Sequence, residues 1–421
     1  MPKGYAIFDQ AKWSDFQKID FDLKNPADDD VEVSITHCGI CGSDLHTVRG
    51  DWGTFCVPAV IPGHEIVGTV TSVGKSVQDI KVGDRVGIGA QVGSCMNCSD
   101  CSHDNENYCA NYMVDTYNSR WPDGSIAQGG YSTAIRAHQR FVFPIPDGIK
   151  SEHAAPMLCA GLTVYSPLYR SRVGPGSRVG VIGVGGLGHF GIMFAQALGA
   201  EVFAFSHTAS KKEDAHRMGA KEFILMDKSD DWLKHMQQAP LDVIINTASS
   251  SSVEVAKIVS CLKVGGHIYC LGLPKEGFRL PVMQLCGRGA FIGSSHIGSK
   301  KEALDMLRLA AEKKIEPWIE VLPMKECSKA IERVAKGDGA FRATSRAAFN
   351  KPAFQPHFGS VWVPSLFFWG ATGGMFVTIA MSGVPLFKTD VLLKTPVASF
   401  FEGTYCMTDM ADKTPDCDKP F

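Results

Sequence analysis

Residues 31–36, Val-Glu-Val-Ser-Ile-Thr, alternate apolar and polar positions with a period of two, the pattern of a strand with one face in a core. Short runs of similar character follow at 66–73, punctuated by Gly68 and Gly74, and around Gly83-Asp-Arg-Val-Gly87. No long apolar pattern of helical period precedes residue 150, so the first third reads as a β-rich, partly barrel-like domain. From residue 178 the pattern changes. Arg178-Val-Gly-Val-Ile-Gly183 is a continuous buried-strand run, a helical stretch covers 189–198 and ends at Gly199, and further strand patterns occur at 201–205, 223–225, 242–246 and 267–271. Strands alternating with helices predict an α/β, doubly wound parallel sheet. A final amphipathic helix is expected over 300–315, with Leu304, Leu307 and Ala311 on one face and a stop before Pro317. The expected boundaries are a catalytic domain over 1–153, completed by 296–343, a nucleotide-binding domain over 154–295, and a tail over 344–421.

Composition narrows the class. A chain of 421 residues with 45% hydrophobic and 20% charged positions has room for two cored domains. A net charge of −2 gives no footing for nucleic-acid binding. Residues 1–13 lack a basic region followed by an apolar run, so no secretory signal is read there. The fourteen cysteines cluster, which favours metal in a reducing compartment over disulfides and makes the cytoplasm the expected location.

Two of those clusters carry chemistry. Cys95, Cys98, Cys101 and Cys109 offer four thiolates at a spacing that closes a tetrahedral zinc site with no open position, hence a structural one; a disulfide-bonded loop is the alternative. Cys41, in Cys38-Gly-Ile-Cys41-Gly-Ser43-Asp44-Leu-His46, and His64, in Gly63-His64-Glu65, supply a soft and a borderline ligand. Cys159, in Met157-Leu-Cys159-Ala-Gly161, is the candidate third, leaving a position at which zinc acts as a Lewis acid. Between the first apolar run and its helix lies Gly183-Val-Gly185-Gly186-Leu187-Gly188, a turn that lays a pyrophosphate on a helix N-terminus, as in the Rossmann fold. Where NAD-binding chains end the second strand in Asp or Glu, this one has Ser206-His207, with Lys211 and Lys212 behind. A carboxylate there repels a 2′-phosphate, whereas hydroxyls and lysines attract one. NADP(H) is the expected coenzyme, against the alternative that the lysines are a solvated charge run.

The runs Cys-Gly-Ile-Cys-Gly-Ser-Asp, Pro-Gly-His-Glu and Leu-Cys-Ala-Gly-Leu-Thr163-Val-Tyr resemble the zinc-dependent medium-chain alcohol dehydrogenases. Within them the chain is most similar to the cinnamyl-alcohol-dehydrogenase branch, over about residues 5–341. The resemblance implies a chaperonin-10-like (GroES-like) catalytic domain, a homodimer, and hydride transfer between NADPH and an aromatic or medium-chain aldehyde. It implies that Ser43 is the first proton donor and His46 the group exchanging with solvent. It also implies that Asp44 orients His64, that Glu65 stands beside the metal, and that Gly183, Gly185, Gly186, Leu187, Gly188, Ser206, His207, Lys211 and Thr163 meet the coenzyme. Trp52 and Trp121 are read either as walls of an aromatic pocket or as packing residues. A zinc-independent NADPH quinone or enal reductase on the same scaffold is the runner-up, and the seven metal ligands speak against it.

Beyond Phe341-Arg342 the resemblance ends, and the family's last strand is expected to be missing, which leaves an unpaired edge. Residues 360–387 contain no charge and are long enough to cross a bilayer. Gln355-Pro-His-Phe, Gly370-Ala-Thr-Gly-Gly and the end Asp418-Lys-Pro-Phe421 resemble subunit 10 of fungal ubiquinol–cytochrome c reductase. The tail is thus either a single-span membrane subunit fused to the enzyme or a second sequence mis-joined to it, and only in the first case is a membrane a partner.

Overall fold

In the computed structural model, which describes residues 1–248, 254–272, 282–336 and the backbone of 342–346, the alternating segment lies within a strand of 11 residues, Asp30–Ile40. It pairs antiparallel with Ile66–Val73 and with Ala134–His138. The sheet runs in the order Val142–Pro144, Arg85–Ile88, Ile66–Val73, Asp30–Ile40, Arg342–Arg346, Ile319–Pro323. Its inward positions, among them Val31, Val33, Val70, Val86 and Ile135, are almost fully buried and form one core.

The unpaired edge expected after residue 341 is not there. Arg342–Arg346 lies antiparallel to Asp30–Ile40, with Thr344 opposite Gly39, and parallel to Ile319–Pro323. Ladder bonds are made by backbone N–H and C=O groups, so a sequence with no apolar alternation still closes the sheet when two strands leave it a slot. The tail from 347 on, including the segment 360–387, lies outside the described residues; among those described, no helix is long and apolar enough to cross a membrane.

The second sheet has six parallel strands in the order Glu222–Leu225, Glu201–Ser206, Arg178–Ile182, Leu241–Asn246, Leu262–Cys270, Phe291–Gly293. That is the 3-2-1-4-5-6 order of a doubly wound dinucleotide-binding sheet, whose crevice opens where the order reverses. The helix Gly188–Ala197 follows the first strand and is buried almost all round, with Phe190, Ile192 and Phe194 in the core.

The helix Lys300–Lys313 forms where expected, but its buried face is turned by about one residue: Ala303, Met306, Leu307 and Ala310 are covered, and Leu304 is 36% exposed. The reason is Glu302, which is buried because it accepts hydrogen bonds from Arg170 Nε (2.6 Å), Ser166 Oγ (3.1 Å) and the Ser299 N–H (2.9 Å). A carboxylate satisfied in this way pulls its own face of the helix inward.

Candidate active site and metal centres

The helix Gly42–Arg49 starts on Cys41, whose N–H donates to Asp44 Oδ2 at 2.8 Å. This first-turn bond fixes Cys41 at the helix entrance and sets Ser43, Asp44 and His46 on the turns behind it. Asp44 is completely buried and also accepts from the Gly63 N–H (3.1 Å), while its Oδ1 lies 3.2 Å from His64 Nδ1. One carboxylate therefore orients both the loop and the imidazole on it, leaving Nε2 to face Cys159.

Cys159 arrives from the other side of the chain on a π-turn. Ser151–Pro156 and Leu162–Arg170 are α-helical, and Met157–Gly161 between them has π geometry. Pro156 lacks an N–H at the junction, and the widened turn follows it directly. The outcome is Cys159 Sγ 3.8 Å from Cys41 Sγ and 3.2 Å from His64 Nε2.

Cys41, His64, Glu65 and Cys159 are all buried, with ligand atoms within 4.8 Å of one another. A zinc with Zn–S bonds of about 2.3 Å in tetrahedral geometry needs sulfurs about 3.8 Å apart. Burial opposes charge on His64, yet the Asp44 carboxylate and Cys41 sulfur outweigh it and raise its pKa well above the ordinary value. This pocket favours a cation. Gly39 is part of its wall: a Cβ there would lie 1.8 Å from Glu65 Oε2.

Around the cluster, Cys41 Sγ lies 3.6 Å from Ser43 Oγ. His46 Nδ1 lies 2.7 Å from Asp51 Oδ2, and the ring stacks on Trp52 with centroids 5.3 Å apart. Tyr117 is buried and stacks on His64 at 5.7 Å. Trp121 stands elsewhere. It packs on the barrel core against Gly93 and under Lys24 Nζ, 3.8 Å from its ring centroid, as the packing alternative has it, and also lines a small cavity with Phe21, Lys24 and Thr116.

Cys95, Cys98, Cys101 and Cys109 form the second cage, again within 4.8 Å, with sulfur separations of 3.9 Å (95–101), 3.8 Å (98–109) and 3.3 Å (95–109). Burial pushes the Cys101 thiol up to about 12. It pushes Cys109 up as well, but backbone N–H groups at Cys95, Tyr112 and Asn111 outweigh it and bring that thiol to about 6. Four sulfurs with N–H donors, Cys101 and Cys109 buried and Cys95 and Cys98 half-buried, fit a closed zinc site.

In the parallel sheet, Gly183 has φ +87° and a Cβ on Gly188 would sit 1.7 Å from the Gly183 carbonyl oxygen, so the turn Gly183–Gly188 closes only with glycine at both ends. Leu187 caps the helix that follows, and the His189 N–H bonds to the Gly185 carbonyl at 3.0 Å, next to Gly186. Ser206 ends the second strand, nearly buried, its Oγ accepting from the Thr208 N–H at 3.1 Å. His207 Nδ1 is turned back to the Met226 carbonyl at 2.7 Å, and Lys211 stands at the start of the helix Lys212–Arg217. Thr163, half-buried, follows the π-turn.

Sequence reading did not single out Asp51. The only local signal is its place two residues past a helix end, where aspartate is common for other reasons.

A dinucleotide sheet joined to a barrel with one closed and one open soft-ligand cage defines a metal-dependent, coenzyme-linked oxidoreductase. Residues 27–147 match the alcohol dehydrogenase GroES-like domain and residues 186–312 the zinc-binding dehydrogenase domain. The chain is 42% identical over 346 residues to the NADP-dependent alcohol dehydrogenase 6 of Saccharomyces cerevisiae, covering 81% of this chain and 95% of that protein. It is 43% identical over 328 residues to cinnamyl alcohol dehydrogenase 2 of Arabidopsis thaliana (76% and 85%). Among solved structures, a cinnamyl alcohol dehydrogenase of Sorghum bicolor superposes with a TM-score of 0.76 at 35% identity, over 83% of this chain and 98% of that one. The CAD of Helicobacter pylori, complexed with NADP(H), gives 0.73 at 34% (82% and 97%). The chain belongs to the zinc-type alcohol dehydrogenases. Residues 354–421 separately match the ubiquinol-cytochrome-c reductase complex subunit family, QCR10.

Proposed function

We propose that this enzyme reduces aldehydes, aromatic or medium-chain, to primary alcohols with NADPH, and runs in reverse with NADP⁺. The observation that carries the reading is the buried quartet Cys41, His64, Glu65 and Cys159, an anionic donor set whose ligand atoms lie close enough together to hold one zinc. When bound, zinc supplies Lewis acidity at a carbonyl oxygen and NADPH supplies the hydride. Asp44 holds His64 with Nε2 inward, and Glu65 stands at the same wall. Ser43 Oγ is placed to give a proton to the product oxygen. Asp51 holds Nδ1 of His46, so exchange of that proton with solvent falls to Nε2. The zinc-independent reductase reading is disfavoured because it leaves two complete soft-ligand cages without a purpose.

NADPH is favoured over NADH because Ser206 presents a hydroxyl, not a carboxylate, at the strand end, with Lys211 and Lys212 behind it. The NADP-named relatives support the same choice. The test is kcat/KM with each coenzyme. NADPH should be strongly preferred, and Ser206→Asp should erode or reverse that preference; equal use of both by the unaltered protein contradicts it.

The domain boundaries proposed are 1–153 with 296–343 for the catalytic part and 154–295 for the coenzyme part, supported by the two separate sheets. A homodimer and a cytoplasmic location remain part of the reading. For residues 354–421 the proposal is a membrane-subunit module joined to the enzyme, supported by the family match. The intact mass of the native protein, 45.6 kDa if the tail is present, tests it.

A further inference from the structure

The order of the parallel sheet reverses between Arg178–Ile182 and Leu241–Asn246, so the coenzyme crevice opens between the ends of these two strands. The glycine-rich turn leaves the first strand there, and Thr247 leaves the second. Thr247 Oγ1 lies 2.8 Å from the Ile182 carbonyl oxygen and 3.0 Å from that of Gly183. One hydroxyl proton is thus shared between the two carbonyls at the root of the turn. The Thr247 N–H donates to the Ile182 carbonyl as well, at 2.9 Å. The hydroxyl oxygen is also 3.1 Å from where a Cβ would stand on Gly183, and 3.1 Å from where one would stand on Gly188. Thr247 therefore stands beside both ends of the turn that these glycines allow to close.

Thr247 is itself held. The carbonyl of buried Asn246 accepts from the Leu271 and Gly272 N–H groups at 2.8 and 3.1 Å, and its Oδ1 accepts from the Ala248 N–H at 3.1 Å. The hydroxyl is carried on fixed backbone, and the Gly183 carbonyl has need of it. Residue 183 is a glycine at φ +87°, with no side chain to hinder rotation of the peptide plane that follows it. As observed, its carbonyl oxygen lies under the start of the helix Gly188–Ala197, 1.7 Å from where a Gly188 Cβ would stand. Turned into the crevice, the same oxygen would set a partial negative charge where the N–H groups of that helix start are to meet a pyrophosphate.

We propose that Thr247 is a positioning residue for the coenzyme: its hydroxyl holds the Gly183 carbonyl out of the pyrophosphate site and keeps the turn in its binding shape before the coenzyme arrives. The inference rests on the glycine-rich turn being the dinucleotide site and on NADPH being its ligand.

Thr247→Val keeps the branched shape and removes the hydroxyl, whereas Thr247→Ser keeps the hydroxyl. In the full-length, coenzyme-free protein, amide hydrogen exchange over 184–188 should be faster in the valine variant. The dissociation constants of NADPH and NADH, read by fluorescence, should both rise by the same factor, roughly three- to tenfold, the size of one hydrogen bond. The factor is shared because both coenzymes carry the pyrophosphate. Adenosine 2′-monophosphate lacks it, and its binding should not change. The serine variant should bind both coenzymes as the unaltered protein does, and Thr247→Ala carries the same comparison if the valine variant does not fold. Unchanged coenzyme binding in the hydroxyl-free variants, an equal loss of adenosine 2′-monophosphate binding, or a serine variant as weak as the valine one overturns the proposal. An unaltered protein that binds NADH as tightly as NADPH contradicts the NADPH reading instead, and the comparison of threonine with valine still decides the role of Thr247.

Discussion

Gly39 shows how much of this site is decided at the scale of single atoms. A Cβ at that position would meet Glu65 Oε2 at 1.8 Å and Glu65 Cβ and Cδ at 2.8 Å, so the buried carboxylate has its place only because residue 39 has no side chain. Gly39→Ala should push Glu65 aside while the strand, whose ladder is made by backbone, persists. Outer groups that orient metal ligands typically contribute 10–100-fold to affinity, and a loss of about that size is expected at the catalytic cage alone. Competition with a graded chelator measures it; equal zinc affinity at both cages before and after the change would contradict the role given to Glu65. At this scale the sequence was readable where the chemistry allows few residue types. Thiolates and imidazoles at zinc spacing have few other uses, so Cys41, His64, Cys159 and the four clustered cysteines stood out. Asp51 did not, because aspartate is common on any surface and only the fold shows that it faces His46. Trp121 was ambiguous for the converse reason: a large aromatic suits a pocket wall and a core equally well.

Elements tie the two cages together. The turn Glu106–Tyr108 lies between ligands Cys101 and Cys109 and grips the segment by which the chain returns from the coenzyme sheet. Glu106 Oε1 accepts from the Lys300 N–H (2.6 Å), Asn107 donates to the His296 carbonyl, and Tyr108 accepts from its N–H. Glu106 and Asn107 are buried, so these bonds are costly to break. Cys98→Ala should therefore do more than loosen its own loop. Loss of metal-linked folding energy should lower stability by at least about 2 kcal/mol. Faster amide hydrogen exchange is expected at 295–300 as well as at 95–109. Faster exchange confined to 95–109 would show that the lobe does not brace the crossover. The π-turn at Met157–Gly161 and the strand Arg342–Arg346 were not legible, for related reasons. A π-turn has no residue pattern of its own, and a strand that fills a slot between two others needs only its backbone. Patterns that were legible, such as 31–36 and 178–182, bury one or both faces and so must be written in apolar residues.

For the molecule as a whole, the β-rich first domain and the doubly wound parallel sheet followed from periodicity together with the glycine-rich turn, whereas the strand orders came only with the fold. The join to residues 354–421 is visible as an abrupt loss of charge after Lys351, close to where the second family match begins. The central claim is that the chain holds two zincs with separate duties, and that the one Cys41, His64 and Cys159 would hold supplies Lewis acidity at the carbonyl oxygen while NADPH supplies the hydride. Native mass spectrometry of the full-length protein and of Cys159→Ala, read beside aldehyde-dependent NADPH oxidation, tests it most directly. The account predicts two zincs and turnover for the unaltered chain. For the variant it predicts a weakened or lost catalytic zinc, a retained structural one, intact NADPH binding and no measurable turnover. Near-normal aldehyde reduction by Cys159→Ala would contradict it.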